Sequence, residues 1–115
     1  MLLNGSGGIT NTNLLEASGS GILQIRGVIV NNAGGTIHPN AGSTVQLFNN
    51  AVIQGGTLKN NGGAFFGTPY GDFAYLEGST VAGAVTINGT YTSDLSTDTY
   101  LLGTINNKGN IQDFF

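Results

Sequence analysis

Gly34-Gly35-Thr36-Ile37 returns 21 residues later as Gly55-Gly56-Thr57-Leu58, and between the copies Thr44-Val45-Gln46-Leu47-Phe48 alternates polar and apolar residues, bounded by Asn40-Ala41-Gly42 and Asn49-Asn50. A unit of that length holds only short strands and corners and cannot bury its apolar side alone. Stacked on its next copy it gains a continuous core, so the spacing predicts one coil of a β-solenoid.

The same rhythm extends outward in both directions. Short apolar clusters stand at Ile22-Leu23-Gln24-Ile25, Val28-Ile29-Val30, Ala51-Val52-Ile53, Phe73-Ala74-Tyr75-Leu76, Thr80-Val81, Val85-Thr86-Ile87 and Tyr100-Leu101-Leu102. Gly and Asn separate them and supply the positive φ that corners need. No window keeps the i, i+3, i+4, i+7 spacing of an amphipathic helix, so the chain reads as all β.

A hairpin sandwich is the rival. The clusters are shorter than usual sheet strands, and Asn-Asn-x-Gly recurs at 31–34, 60–63 and 106–109, which predicts asparagines stacked from coil to coil. With irregular coil lengths and no strict six-residue period, the expected fold is a right-handed parallel β-helix of about five coils, a single domain over 1–115. Its interior is expected to hold Ile37, Val45, Leu47, Val52, Leu58, Val81, Val85, Ile87 and Ile105. Leu3-Asn4-Gly5-Ser6-Gly7-Gly8-Ile9 resembles Ile105-Asn106-Asn107-Lys108-Gly109-Asn110-Ile111, which suggests one module of a longer array. Uncapped ends and the apolar Phe114-Phe115 predict self-association.

Gly, Asn, Thr and Ser make up 54 of 115 residues, and only 8% are charged, giving a net charge of −3. Arg26, Lys59 and Lys108 cannot form the basic stripe that nucleic acid requires. No run approaches a membrane span. Without cysteine there is no disulfide framework or thiolate chemistry.

Gly-Gly-Thr-Ile, Gly-Ser-Thr-Val-Gln-Leu, Ile-Gln-Gly-Gly-Thr-Leu, Leu-Glu-Gly-Ser-Thr-Val and Gly-Thr-Ile-Asn-Asn-Lys-Gly-Asn-Ile, between Gly34 and Ile111, resemble the tandem repeats of large bacterial surface and secreted proteins. Autotransporter passengers and filamentous-haemagglutinin-like adhesins are similar in style. The resemblance implies an extracellular or cell-surface parallel β-helix used as a stalk or adhesive fibre, in which the chain is a structural segment of a longer exported protein; the lack of a carboxylate, basic or histidine cluster predicts that it is not an enzyme.

The residues themselves offer little chemistry. The carboxylates Glu16, Asp72, Glu77, Asp94, Asp98 and Asp113 form no evident acid/base pair. Asp94-Leu95-Ser96-Thr97-Asp98 lacks the glycine and ligand count of a calcium loop. His38, the single histidine, reads as a turn residue before Pro39. No cofactor or metal site is expected. The departure from the repeat is 64–76, which holds half of the ten aromatics. Within it Phe66, Tyr70, Asp72, Phe73 and Tyr75 are the candidate ligand-binding residues, suited to stacking on a glycan. Thr10-Asn11-Thr12, Thr90-Tyr91-Thr92 and Thr97-Asp98-Thr99 raise a further reading, ice or another ordered surface.

Overall fold

The structure, a computed structural model, describes residues Met1 to Phe114, so the part of the tail assigned to Phe115 lies outside the described residues. The strands in order are β1 (Leu2–Leu3), β2 (Ile9–Thr10), β3 (Leu14–Ala17), β4 (Ile22–Arg26), β5 (Ile29–Asn31), β6 (Thr36–Pro39), β7 (Thr44–Phe48) and β8 (Ala51–Gln54). They continue as β9 (Gly56–Asn60), β10 (Phe65–Thr68), β11 (Phe73–Gly78), β12 (Val85–Ser93), β13 (Asp98–Gly103), β14 (Ile105–Asn107) and β15 (Asn110–Asp113). There is no helix among the described residues.

All pairings are parallel and join strands one coil apart, which makes a β-solenoid of about five turns with three faces. The first face stacks β1, β4, β7, β10, the end of β12 and β15. The second stacks β2, β5, β8, β11 and β13. The third stacks β3, β6, β9, the start of β12 and β14. β12 is the long strand because it runs through the corner between the third and first faces.

The repeat that suggested the fold lands in register on the third face, Thr36 beneath Thr57 and Ile37 beneath Leu58. Period-two alternation then sends Thr outward and Ile or Leu inward. The inward residues form columns: Leu15, Ile37, Leu58 and Ile87 on the third face, and Ile9, Val30, Ile53, Leu76 and Leu101 on the second. Central members are buried, whereas Leu3, Ile9, Leu15, Ile105 and Ile111 on the end coils are only partly covered. An interior residue on an end coil has a neighbour on one side only.

Several expectations differ from the structure. Val52 is half-buried and faces outward, because the flanking Ala51 and Ile53 take the interior. Val81 is fully exposed at the tip of a turn between β11 and β12, where Glu77 Oε1 accepts from Ser79 N (2.8 Å) and Thr80 Oγ1 from Ala82 N (3.2 Å). The three Asn-Asn-x-Gly copies share a local role, an Asn side chain accepting from the backbone N–H two residues on, but 31–34 turns between the second and third faces while 60–63 and 106–109 turn between the third and first, with Asn60 in the column of Gly89 and Asn107 in that of Ile87. Within the copies, Asn32 does stack from coil to coil, accepting at Oδ1 from Asn11 Nδ2 (2.8 Å), both buried, and donating from Nδ2 to Gly55 O (3.3 Å), and Asn60 Nδ2 donates to Thr90 O of the next coil (2.9 Å). Finally, Leu3 lies on the first face and Ile105 on the third, so the resemblance between the two ends does not superpose coil on coil.

Candidate ligand-binding face

The aromatic segment divides at the corner between the first and second faces. Phe66, on β10, points inward, is 1% exposed and packs against Tyr91 at 5.7 Å between ring centroids. It therefore offers no surface to a ligand. Tyr70, on the turn after β10, is 70% exposed. Asp72 is occupied locally: its Oδ1 accepts from the N–H groups of Asn49 and Phe73, which holds the corner to the coil below. Phe73 and Tyr75 face outward on β11.

Register on the second face builds an outward column of Ile29, Val52, Tyr75 and Tyr100. Beside it run Asn31, Gln54, Glu77 and Leu102. Tyr75 and Tyr100 are stacked at 4.9 Å and 17°, so each covers one ring face of the other. A groove of about 530 Å³ at the start of this face is lined by Gly8, Ile29, Asn31 and Gln54 among others. The sequence marks Tyr100 only as part of an apolar cluster, because its place beside Tyr75 depends on a 25-residue coil, longer than the 21-residue repeat.

The third face carries a second grouping. Glu16 lies beneath His38, and Lys59 follows on the next rung, one position beyond the Ile37–Leu58 pair. His38 sits within β6 rather than in a turn and is buried, its Nε2–H donating to Asn40 Oδ1 (3.1 Å). A groove of about 340 Å³ collects Asn13, Leu14, Glu16, Thr36, His38, Asn40 and Lys59. These residues offer hydrogen bonds and one charge of each sign.

The remaining carboxylates are dispersed. Glu77 caps its own turn, Asp94 Oδ1 accepts from Leu95 N (2.7 Å), Asp98 opens β13 and Asp113 closes β15. No three His, Asp or Glu side chains converge on a metal-sized site among the described residues. In the interior, Thr68 Oγ1 lies 2.7 Å from both Tyr91 Oη and Thr99 Oγ1. Burial pushes the Tyr91 hydroxyl up to about 12, opposed by its hydrogen bonds to Thr68 and Thr99.

Comparison with protein-family models, with curated proteins and with solved structures finds no match.

Proposed function

We propose that the chain is a non-catalytic structural segment of a bacterial extracellular fibre or surface protein, one module of a longer stacked array whose ends associate with further coils. The observation that supports this reading best is the apolar outer edge of β13. The second-face column runs from Ile9 to Leu101, and Leu101 is 43% exposed where Leu76, one rung below, is fully buried. β13 presents six residues of unpaired strand edge with Tyr100, Leu101 and Leu102 exposed along it. Such an edge is a template for another strand.

Sedimentation velocity across rising concentration tests the reading. The sedimentation coefficient is expected to grow reversibly, and Leu101→Lys to suppress the growth. A strictly monomeric protein at every concentration would contradict it.

Glycan binding is the second reading, supported by the exposure of Tyr70 and Phe73 beside the second face. The mutual stacking of Tyr75 and Tyr100 weighs against it, since a sugar needs an open ring face. Calorimetric titration with neutral and acidic oligosaccharides distinguishes the two. Ordered-surface binding draws on a short threonine column, Thr36, Thr57 and Thr86 on the third face; thermal hysteresis is its test.

A further inference from the structure

Outward side chains differ in character from face to face. The third face carries Thr36, Thr57 and Thr86 in one column, and the first carries Gln24, Gln46 and Thr92. The second face instead has Ile29, Val52, Tyr75 and Tyr100 in its central outward column. Ile29 and Tyr100 are exposed there, and so is Phe73 at the start of β11. A contiguous apolar patch of this kind marks an interaction surface.

Charge is sorted in the same way. Asp98 stands on one side of the apolar column, paired with Phe73, and Glu77 stands on the other, between Gln54 and Leu102. Asp72 and Asp94 sit in the turns that lead into β11 and β13, so four of the six carboxylates border this one face. The cations are elsewhere: Arg26 ends β4 with its guanidinium 5.3 Å from the Phe48 ring centroid, Lys59 is on β9, and Lys108 is in the turn before β15. Glu77 and Asp72 are held by uncharged donors, Ser79 and the backbone N–H groups of Asn49 and Phe73, which leave their negative charge in place.

We propose that the second face docks a basic amphipathic helix, its apolar stripe lying along the column from Ile29 to Tyr100 and its lysines or arginines over the carboxylates on either side. Asp98 pairs with Phe73, four positions before Glu77, which puts the Asp98 and Glu77 Cα atoms about 14 Å apart across the column. A helix with its side chains is about 10–12 Å across, so cations on the two flanks of one apolar stripe reach both carboxylates. The same face of a second copy brings carboxylate against carboxylate and is repelled. A neutral glycan leaves both charges without a partner. This docking is independent of how copies stack along the solenoid axis.

Fluorescence anisotropy with a labelled peptide tests the proposal. The probe is an amphipathic leucine–lysine helix of about 14 residues, ~21 Å long, and its counterpart has glutamate in place of lysine. The leucine–lysine peptide is expected to saturate at one per chain and to bind at least tenfold more tightly than the leucine–glutamate peptide. Val52→Lys, in the middle of the stripe, is expected to weaken binding at least tenfold, and Asp98→Asn, which keeps the shape and removes one flanking charge, about threefold. Thr57→Lys, outward on the third face, is expected to change it less than twofold, all three variants melting like the parent. Equal weakening by Val52→Lys and Thr57→Lys would reveal general attraction to an acidic chain and overturn the site. Equal binding of the two peptides overturns the charge match, and no saturable binding of the leucine–lysine helix overturns the proposal outright.

Discussion

Tyr75 and Tyr100 occupy successive rungs of the second face with their rings 4.9 Å apart and 17° from parallel. Stacked aromatic pairs contribute about 0.5–1.5 kcal/mol beyond the area they cover. Tyr100→Ala is therefore expected to lower unfolding stability in urea by about 1–2 kcal/mol, against less than about 0.5 kcal/mol for Tyr70→Ala on its exposed turn. Equal losses at the two positions would show that the stack does not hold the coils together.

Leu58 is 2% exposed and lies between Ile37 and Ile87, whereas its neighbour Thr57 faces outward between Thr36 and Thr86. Leu58→Asp places a carboxylate among aliphatic side chains and is expected to cost roughly 3–5 kcal/mol or to abolish folding. Thr57→Asp is expected to cost about 1 kcal/mol or less. Thermal melts of the pair report whether the inward and outward sides are assigned correctly.

Gly34 and Gly56 both have positive φ, 73° and 70°, but differ in surroundings. A methyl on Gly34 meets open space, and one on Gly56 is driven into the backbone oxygen of Asn32 on the coil below. Gly34→Ala should cost about 1 kcal/mol from backbone strain alone. Gly56→Ala adds overpacking of about 1–3 kcal/mol to the same strain. Chemical denaturation of the two variants isolates the close approach of successive coils from φ.

Burial pushes the Tyr91 hydroxyl up to about 12 in the folded chain, from its ordinary value of 10.0. The folded state holds this proton more tightly, so its contribution to stability is complete below pH 10 and lost as pH rises toward 12. The loss amounts to roughly 3 kcal/mol. Tyr91→Phe is expected to flatten that part of the stability curve relative to the parent, measured by urea midpoints between pH 9 and 12; parallel curves would contradict the burial of the hydroxyl.

The fold was legible wherever corner and strand repeated together. Gly34 to Ile37 and Gly55 to Leu58 share both, and they stack in register. Gly42-Ser43-Thr44-Val45 and Gly78-Ser79-Thr80-Val81 show where this reasoning stops. The first leads into β7 with Val45 buried, and the second forms an exposed turn. The difference lies outside the tetrapeptide: Glu77 draws Ser79 into a turn, and Leu58 and Ile87 stand 29 residues apart, so the coil has chain to spare.

The candidate site was less legible. Phe73 and Tyr75 alternate outward as a strand requires, but Phe66 follows the same alternation into the core beside Tyr91. The column of Glu16, His38 and Lys59 becomes visible only once coil lengths are known, because side chains meet across rungs and not along the chain.

The account stands on Ile37 lying directly beneath Leu58 in parallel strands. Methyl-labelled NMR spectroscopy measures this most directly: it is predicted to give strong NOEs from Ile37 to Leu58 and from Leu58 to Ile87, with the sequential backbone pattern of parallel pairing around Thr36 and Thr57. Antiparallel cross-strand Hα–Hα NOEs in β6 and β9, or an absence of contact between Ile37 and Leu58, would contradict it.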